Sequence, residues 1–206
     1  MPDLKQPVRL DVREWMKGYV GLGARDYDAG FISGIHSGGR FEHDMWIRVD
    51  DIDRFASDPA HAARLDGRIT CQALGGTFPV TNGVFQMFVD SQDPGLKFMR
   101  YRMPYRDNQG RVRTVIGHKT VHDDKALDLF PDTTTLYLKV IEGETTSNDP
   151  PGIGLAQGVL HIQLPDLLRS IASFNSPGSN LAEGAHARAV FAKFFFGKVW
   201  EVYGPK

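Results

Sequence analysis

Cysteine is nearly missing from this chain. Cys71 stands alone among 206 residues, which excludes an intramolecular disulfide and a thiolate metal cage. Long apolar runs are missing too, and none approaches the roughly 20 residues of a bilayer-spanning helix. An excess of one charge is also lacking. With 24 Lys and Arg against 25 Asp and Glu, the net charge is −1, and no field of one sign favours nucleic acid or an anionic membrane. The opening MPDLKQPVRLDVREW has no apolar core after its basic residues to act as a secretory signal, so a cytoplasmic, soluble protein is expected.

Several chemical signatures are absent as well. GLGARD at 21–26 lacks the third glycine of a dinucleotide fingerprint, and GIGLAQG at 152–158 follows a Pro-rich loop rather than a strand. No nucleophile elbow, phosphate loop, HExxH or kinase pattern occurs. No cofactor is therefore expected. Cys71 shares a strand face with Ile69 and Ala73 and reads as a small core residue.

What is present is alternation. Phe41, His43, Met45, Ile47 and Val49 fall on one side of a period-two segment, with Glu42, Asp44, Trp46, Arg48 and Asp50 on the other. GRITCQALGG, VTNGVFQMFVD, LKFMRYRMPYRD, RVRTVIGHKTV, TTTLYLKVIEGE and GVLHIQL read as further strands. DNQG between two of them marks a hairpin, and residues 14–35 read as two short glycine-rich strands. Asp51 is placed to cap a short helix that ends near Pro59. Toward the end, LPDLLRSIASF carries an apolar stripe behind a cap at Asp166. AHARAVFAKFFFGKVWEVYG spaces Phe191, Phe194, Phe195 and Tyr203 helically.

The expected fold is mainly β (α+β): an antiparallel barrel or sandwich of about eight to ten strands, with short helices and a helical C-terminal region. It forms a single domain, with 1–14 as an arm, 15–163 as the β-rich body and 164–206 as the C-terminal helices. Trp200 and Tyr203 are expected to anchor the last segment to the sheet.

The histidine- and aspartate-rich stretch at 118–132 invites a metal reading. On a strand, however, His118 and His122 stand roughly 13 Å apart, and Asp123, Asp124, Asp128 and Asp132 match no calcium loop. Solvated turn residues are the simpler account, and no metal is expected. His43, on an apolar face, reads as a hydrogen-bonded core histidine.

The alternating Phe85, Met87, Met99, Tyr101 and Met103 are the expected lining of a hydrophobic ligand site, because polarizable side chains adapt to flat apolar molecules. A different account is a cofactor-free hydrolase or isomerase using His43, His118 or His122 with nearby acids. A third is a homo-oligomeric structural protein built on the Phe194–Phe195–Phe196 helix.

Phrases such as WMKGYVGLG, KFMRYRMPYRDNQGR, GHKTVHDDKALDLFPDTTTLYLKVIEG and FAKFFFGKVWEVY carry a further clue. Across about residues 15–203 the chain resembles the non-flavin segment accompanying large bacterial sterol-oxidase-like flavoproteins of the glucose–methanol–choline oxidoreductase class. The resemblance implies a non-catalytic accessory module near lipid or sterol oxidation, with an oxidoreductase as a possible partner. The flavin-binding part is not in this sequence, so the resemblance implies no oxidase activity, and it assigns no functional residue.

Overall fold

The structure, a computed structural model, describes residues 6–93, 96–122 and 134–203. Eight strands run in sequence order: β1 (Leu10–Leu22), β2 (Arg40–Val49), β3 (Ala62–Cys71), β4 (Gly76–Asp90), β5 (Leu96–Arg106), β6 (Val112–His122), β7 (Thr135–Glu142) and β8 (Ala156–His161). Each pairs antiparallel with the next, and β8 returns to β1, closing a barrel. Closure removes the sheet edges, so barrel rather than sandwich is the solution this meander adopts.

Among the described residues four α-helices surround it: α1 (Tyr27–Ser37), α2 (Ile52–Ser57), α3 (Leu164–Ala172) and α4 (Leu181–Tyr203). Among the described residues no helix is long and apolar enough to cross a membrane.

The alternation places the core. On β2 the odd-numbered residues from Phe41 to Val49 are buried, and on β5 Lys97, Met99, Tyr101, Met103 and Tyr105 face the interior. The DNQG turn closes as the β5–β6 hairpin, with Asp107 accepting from the amides of Gln109 and Arg111. Asp51 caps α2 through the amides of Asp53 and Arg54. Asn180 and Glu183 exchange hydrogen bonds at the start of α4, a reciprocal capping box.

Four local expectations need correction. Residues 14–35 form one long strand and a helix, not two short strands; Asp26 accepts from the Ala29 amide, and Gly38 ends α1 in a left-handed turn. β1 begins at Leu10, inside the stretch read as an arm. Asp166 lies within the first turn of α3 rather than capping it, and is buried between Lys17 and Arg169. Finally, Trp200 is 68% exposed, and the side chain of Tyr203 lies outside the described residues. The anchor of α4 is Phe194, whose ring sits 4.6 Å from His61, 5.3 Å from Phe55 and 6.2 Å from Phe88.

The closing seam is unusually tight. A β-carbon at Gly18 would stand 2.0 Å from the Val159 carbonyl oxygen, and one at Gly158 the same distance from that of Tyr19. Helix α1 lies over this seam just as closely, for a β-carbon at Gly30 would meet the Gln157 carbonyl oxygen at 2.0 Å. Only glycine allows three backbones to approach in this way.

Candidate functional site: a polar cluster inside an apolar barrel

Two strand faces break their own pattern. On β1 the inward residues include Val12, Glu14, Met16, Gly18 and Val20, and on β6 they are Arg113, Val115, Gly117, Lys119 and Val121. A glutamate and a lysine thus stand where the alternation calls for apolar side chains. Across the barrel they meet: Lys119 Nζ donates to Glu14 Oε1 at 2.8 Å. Tyr101 on β5 donates to the same oxygen at 3.2 Å, and its ring lies 5.3 Å from the lysine ammonium.

His43 on β2 completes the group. Its Nε2 is 3.3 Å from Glu14 Oε2, yet neither ring nitrogen nor that carboxylate oxygen has a hydrogen-bond partner. The histidine ring also packs edge-on against Tyr101, 5.7 Å between centroids. All four residues are buried. His43 is a core histidine as expected, but not a hydrogen-bonded one.

Electrostatics follow from burial and pairing. Burial pushes the Glu14 carboxyl upward, but the Lys119 ammonium and the adjacent His43 outweigh it and hold the pKa at about 2. Burial first, and then the Glu14 charge, push the Tyr101 phenol well above its ordinary value. The phenol therefore stays protonated and donates to an ionised carboxylate at neutral pH.

Around the cluster the interior is soft and apolar. Phe85, Met87, Met99, Tyr101 and Met103 are all buried there. Met16 and Met45 stand directly beside the polar pair, with Met16 opposite His43 and Glu14 opposite Met45 in the β1–β2 register. Every methionine among the described residues belongs to this core. Toward the two rims, inward Lys97 pairs with Asp90 and Glu201, and Arg113 with Asp107 and Glu142.

The other histidines of the sequence reading do not join this site. His118 lies on the outer face, half-buried and stacked on Tyr137 at 5.6 Å, with Tyr27 and Phe98 at its edges. Burial lowers its pKa. The side chain of His122 and the expected turn from Asp123 to Asp132 lie outside the described residues. Among the described residues no three His, Cys, Asp or Glu side chains gather as a metal site. Cys71 is buried, which pushes its thiol pKa up. It packs as a small core residue.

Among the described residues, hollows open on the outside of the molecule. One, of about 610 Å³, lies against Asp90–Asp93, Leu96, Phe98 and Arg100. Another, of about 470 Å³, runs between α2 and α4. Neither is lined by any of the five core residues expected to contact a ligand.

Glu14 and Lys119 were not among the residues expected from sequence, although each is legible as a charge on the apolar parity of its strand. Fold and site together define a closed eight-stranded antiparallel barrel with a charged, partly unsatisfied group at its centre. The chain matches no known protein-family model, no curated protein and no solved structure.

Proposed function

We propose that the barrel is a non-catalytic binding module whose interior takes a small, mainly apolar molecule. The observation that carries this reading is the polar cluster itself. Buried polar groups are normally hydrogen-bonded, and an unpaired buried acceptor costs about 1–3 kcal/mol or more. Glu14 Oε2 and both His43 nitrogens lack hydrogen-bond partners in a mainly apolar interior that includes aliphatic and aromatic side chains and five methionines. A bound molecule with one polar group would satisfy Glu14 Oε2 and one of the two His43 nitrogens. Unbranched thioethers let such a core repack around a guest, and an eight-stranded barrel is wide enough for one small ligand or for its own side chains. The resemblance noted in the sequence supports placing this module beside lipid or sterol oxidation.

A second reading draws on a specific contact. The His43–Glu14 edge, 3.3 Å apart with free nitrogens, has the residue types of an acid–base pair, as a cofactor-free hydrolase or isomerase would need. Binding and turnover alike need a route to this edge, and neither hollow described above is lined by Glu14 or His43.

Native mass spectrometry of freshly purified protein, beside melting curves with a panel of sterols and long-chain lipids, tests the first reading. A ligand that binds only the folded state raises the melting temperature by mass action. The expected results are a co-purified apolar mass or a concentration-dependent rise in Tm. A bare protein mass with an unmoved melt across the panel rejects the binding reading.

A further inference from the structure

The four groups of the cluster differ in what they still lack, and that difference selects a ligand. Glu14 Oε1 already accepts from Lys119 and Tyr101. Oε2 accepts no well-aligned hydrogen bond, its nearest polar neighbour being His43 Nε2 at 3.3 Å, and it is a charged acceptor in a low-dielectric interior. His43 offers two unpartnered nitrogens. In the neutral imidazole one of them is an N–H and the other a bare acceptor. The open valences are therefore an anionic acceptor on Glu14 and, on His43, one donor and one acceptor, with 3.3 Å between Oε2 and Nε2.

From this we infer that the interior recognises a neutral, largely apolar molecule carrying a single hydroxyl, whose O–H donates to Glu14 Oε2 while its oxygen accepts from the His43 N–H. The inference rests on the binding reading above and narrows it to one class of ligand. Other head groups fit less well. A carboxylate brings no donor to Oε2 and sets a second buried anion beside Glu14, whose cation Lys119 is already engaged. An amine supplies donors but adds a second cation to the same cluster. A ketone can accept from His43 yet leaves Oε2 unpaired, and a hydrocarbon satisfies neither. Of these head groups, only the hydroxyl both donates and accepts without adding charge. Met16 and Met45, next to His43 and Glu14 in register, would flank its carbon chain.

The rival occupant is a single water, which donates and accepts in the same way. Octan-1-ol, octan-2-one, octanoate and octane separate these cases. They are titrated into the full chain labelled with ¹³C at the methionine methyls, whose shifts report on Met16, Met45, Met87, Met99 and Met103. The inference expects octanol to perturb these methyls saturably, and to bind at least tenfold more tightly than the ketone or the acid. A site built to hydrogen-bond a hydroxyl discriminates strongly against analogues that leave its buried groups unpaired. In His43→Phe the octanol preference over octane should fall by tenfold or more, while octane binding is retained. The preference measured on the wild-type protein needs no variant to fold.

Octanoate or octan-2-one binding as tightly as octanol, or a preference that survives in His43→Phe, would overturn the hydroxyl inference and leave the barrel as a less selective module. No saturable shift with any of the four compounds, with a water ordered between Glu14 and His43 in a crystal structure, would overturn the binding reading together with this one.

Discussion

The two faces of the β1–β2 ribbon carry the same residue types under opposite conditions. On the outside, Asp44 pairs with Arg13 at 2.8 Å and with Arg68 at 2.7 Å, and Arg48 joins Asp11 to Asp66. The Arg13 guanidinium also lies 4.4 Å above the Trp15 ring. On the inside, one residue away along each strand, Glu14 and His43 meet one cation, Lys119. The outer face has more ion pairs, and although Asp11 is itself buried, their arginines reach water that can replace a lost partner, so each is worth little. The inner pair has no such substitute. Its partners matter because their removal strands a charge, not because the pair itself is a large net gain.

The sharpest way to break this contrast is to remove the inner cation. Lys119→Met should destabilise the fold by about 3–5 kcal/mol, the usual consequence of leaving a buried carboxylate alone. Urea titration reads it directly. The double variant Glu14→Leu with Lys119→Met should recover most of the loss, since a well-packed apolar pair is often as stable as an ionic one. A double variant no more stable than the single would mean that Lys119 acts through packing alone.

The next test uses pH. Glu14 titrates at about 2 in the folded protein, against about 4.3 in an unfolded chain. A carboxyl with a depressed folded-state pKa contributes stability that is complete above the unfolded value and is lost as pH falls toward the folded one. The Glu14 contribution, on the order of 3 kcal/mol, should thus hold from neutral pH down to about 4.5 and fade between there and about 2. Glu14→Gln should flatten the stability profile in that acidic window relative to the wild type. Parallel profiles would show that the carboxylate has no special standing there.

The same inside–outside contrast recurs on α4 and sharpens the comparison. Phe194→Ala should cost about 3 kcal/mol by opening a cavity among Phe55, His61 and Phe88. Trp200→Ala, at a ring left largely in solvent, should stay within about 0.5 kcal/mol. Paired thermal melts decide it, and equal losses would place Trp200 against a surface of the fold after all. The smallest effect belongs to the outer ion pairs. Arg68→Ala removes one of two partners of Asp44 and should move stability by less than about 1 kcal/mol, less still at high salt.

Much of the barrel was legible because period-two alternation survives in nearly every strand, and β-branched and aromatic residues fill the buried parity. Helix α1 was hidden for a physical reason. YDAGFISGIHS has glycine where a helix ordinarily shows large apolar residues, because Gly30 and Gly34 pack directly on the backbone of β8 and β1. Trp200 misled because aromatic rings are so often core that exposure is the exception. The site was half visible. Glu14 and Lys119 each break parity in their own strand, but they sit 105 residues apart in sequence. Nothing local says that two such breaks answer each other. His43 was visible as an inward histidine, while its missing partners follow only from the packing around it.

The glycine seam also bears on how the chain reaches its native state. Lys17 pairs with His161, so the barrel cannot close until nearly all of its strands are in place. Pairings this distant in sequence are slow to form, because chain entropy is lost before the contact rewards it. During synthesis β1 must therefore wait with its outer hydrogen-bonding edge unpaired, the condition under which strands recruit the wrong neighbour. Helix α1 follows β1 by only a few residues and packs on it through Gly34. It is positioned to shelter that strand early, long before β8 arrives to take its place.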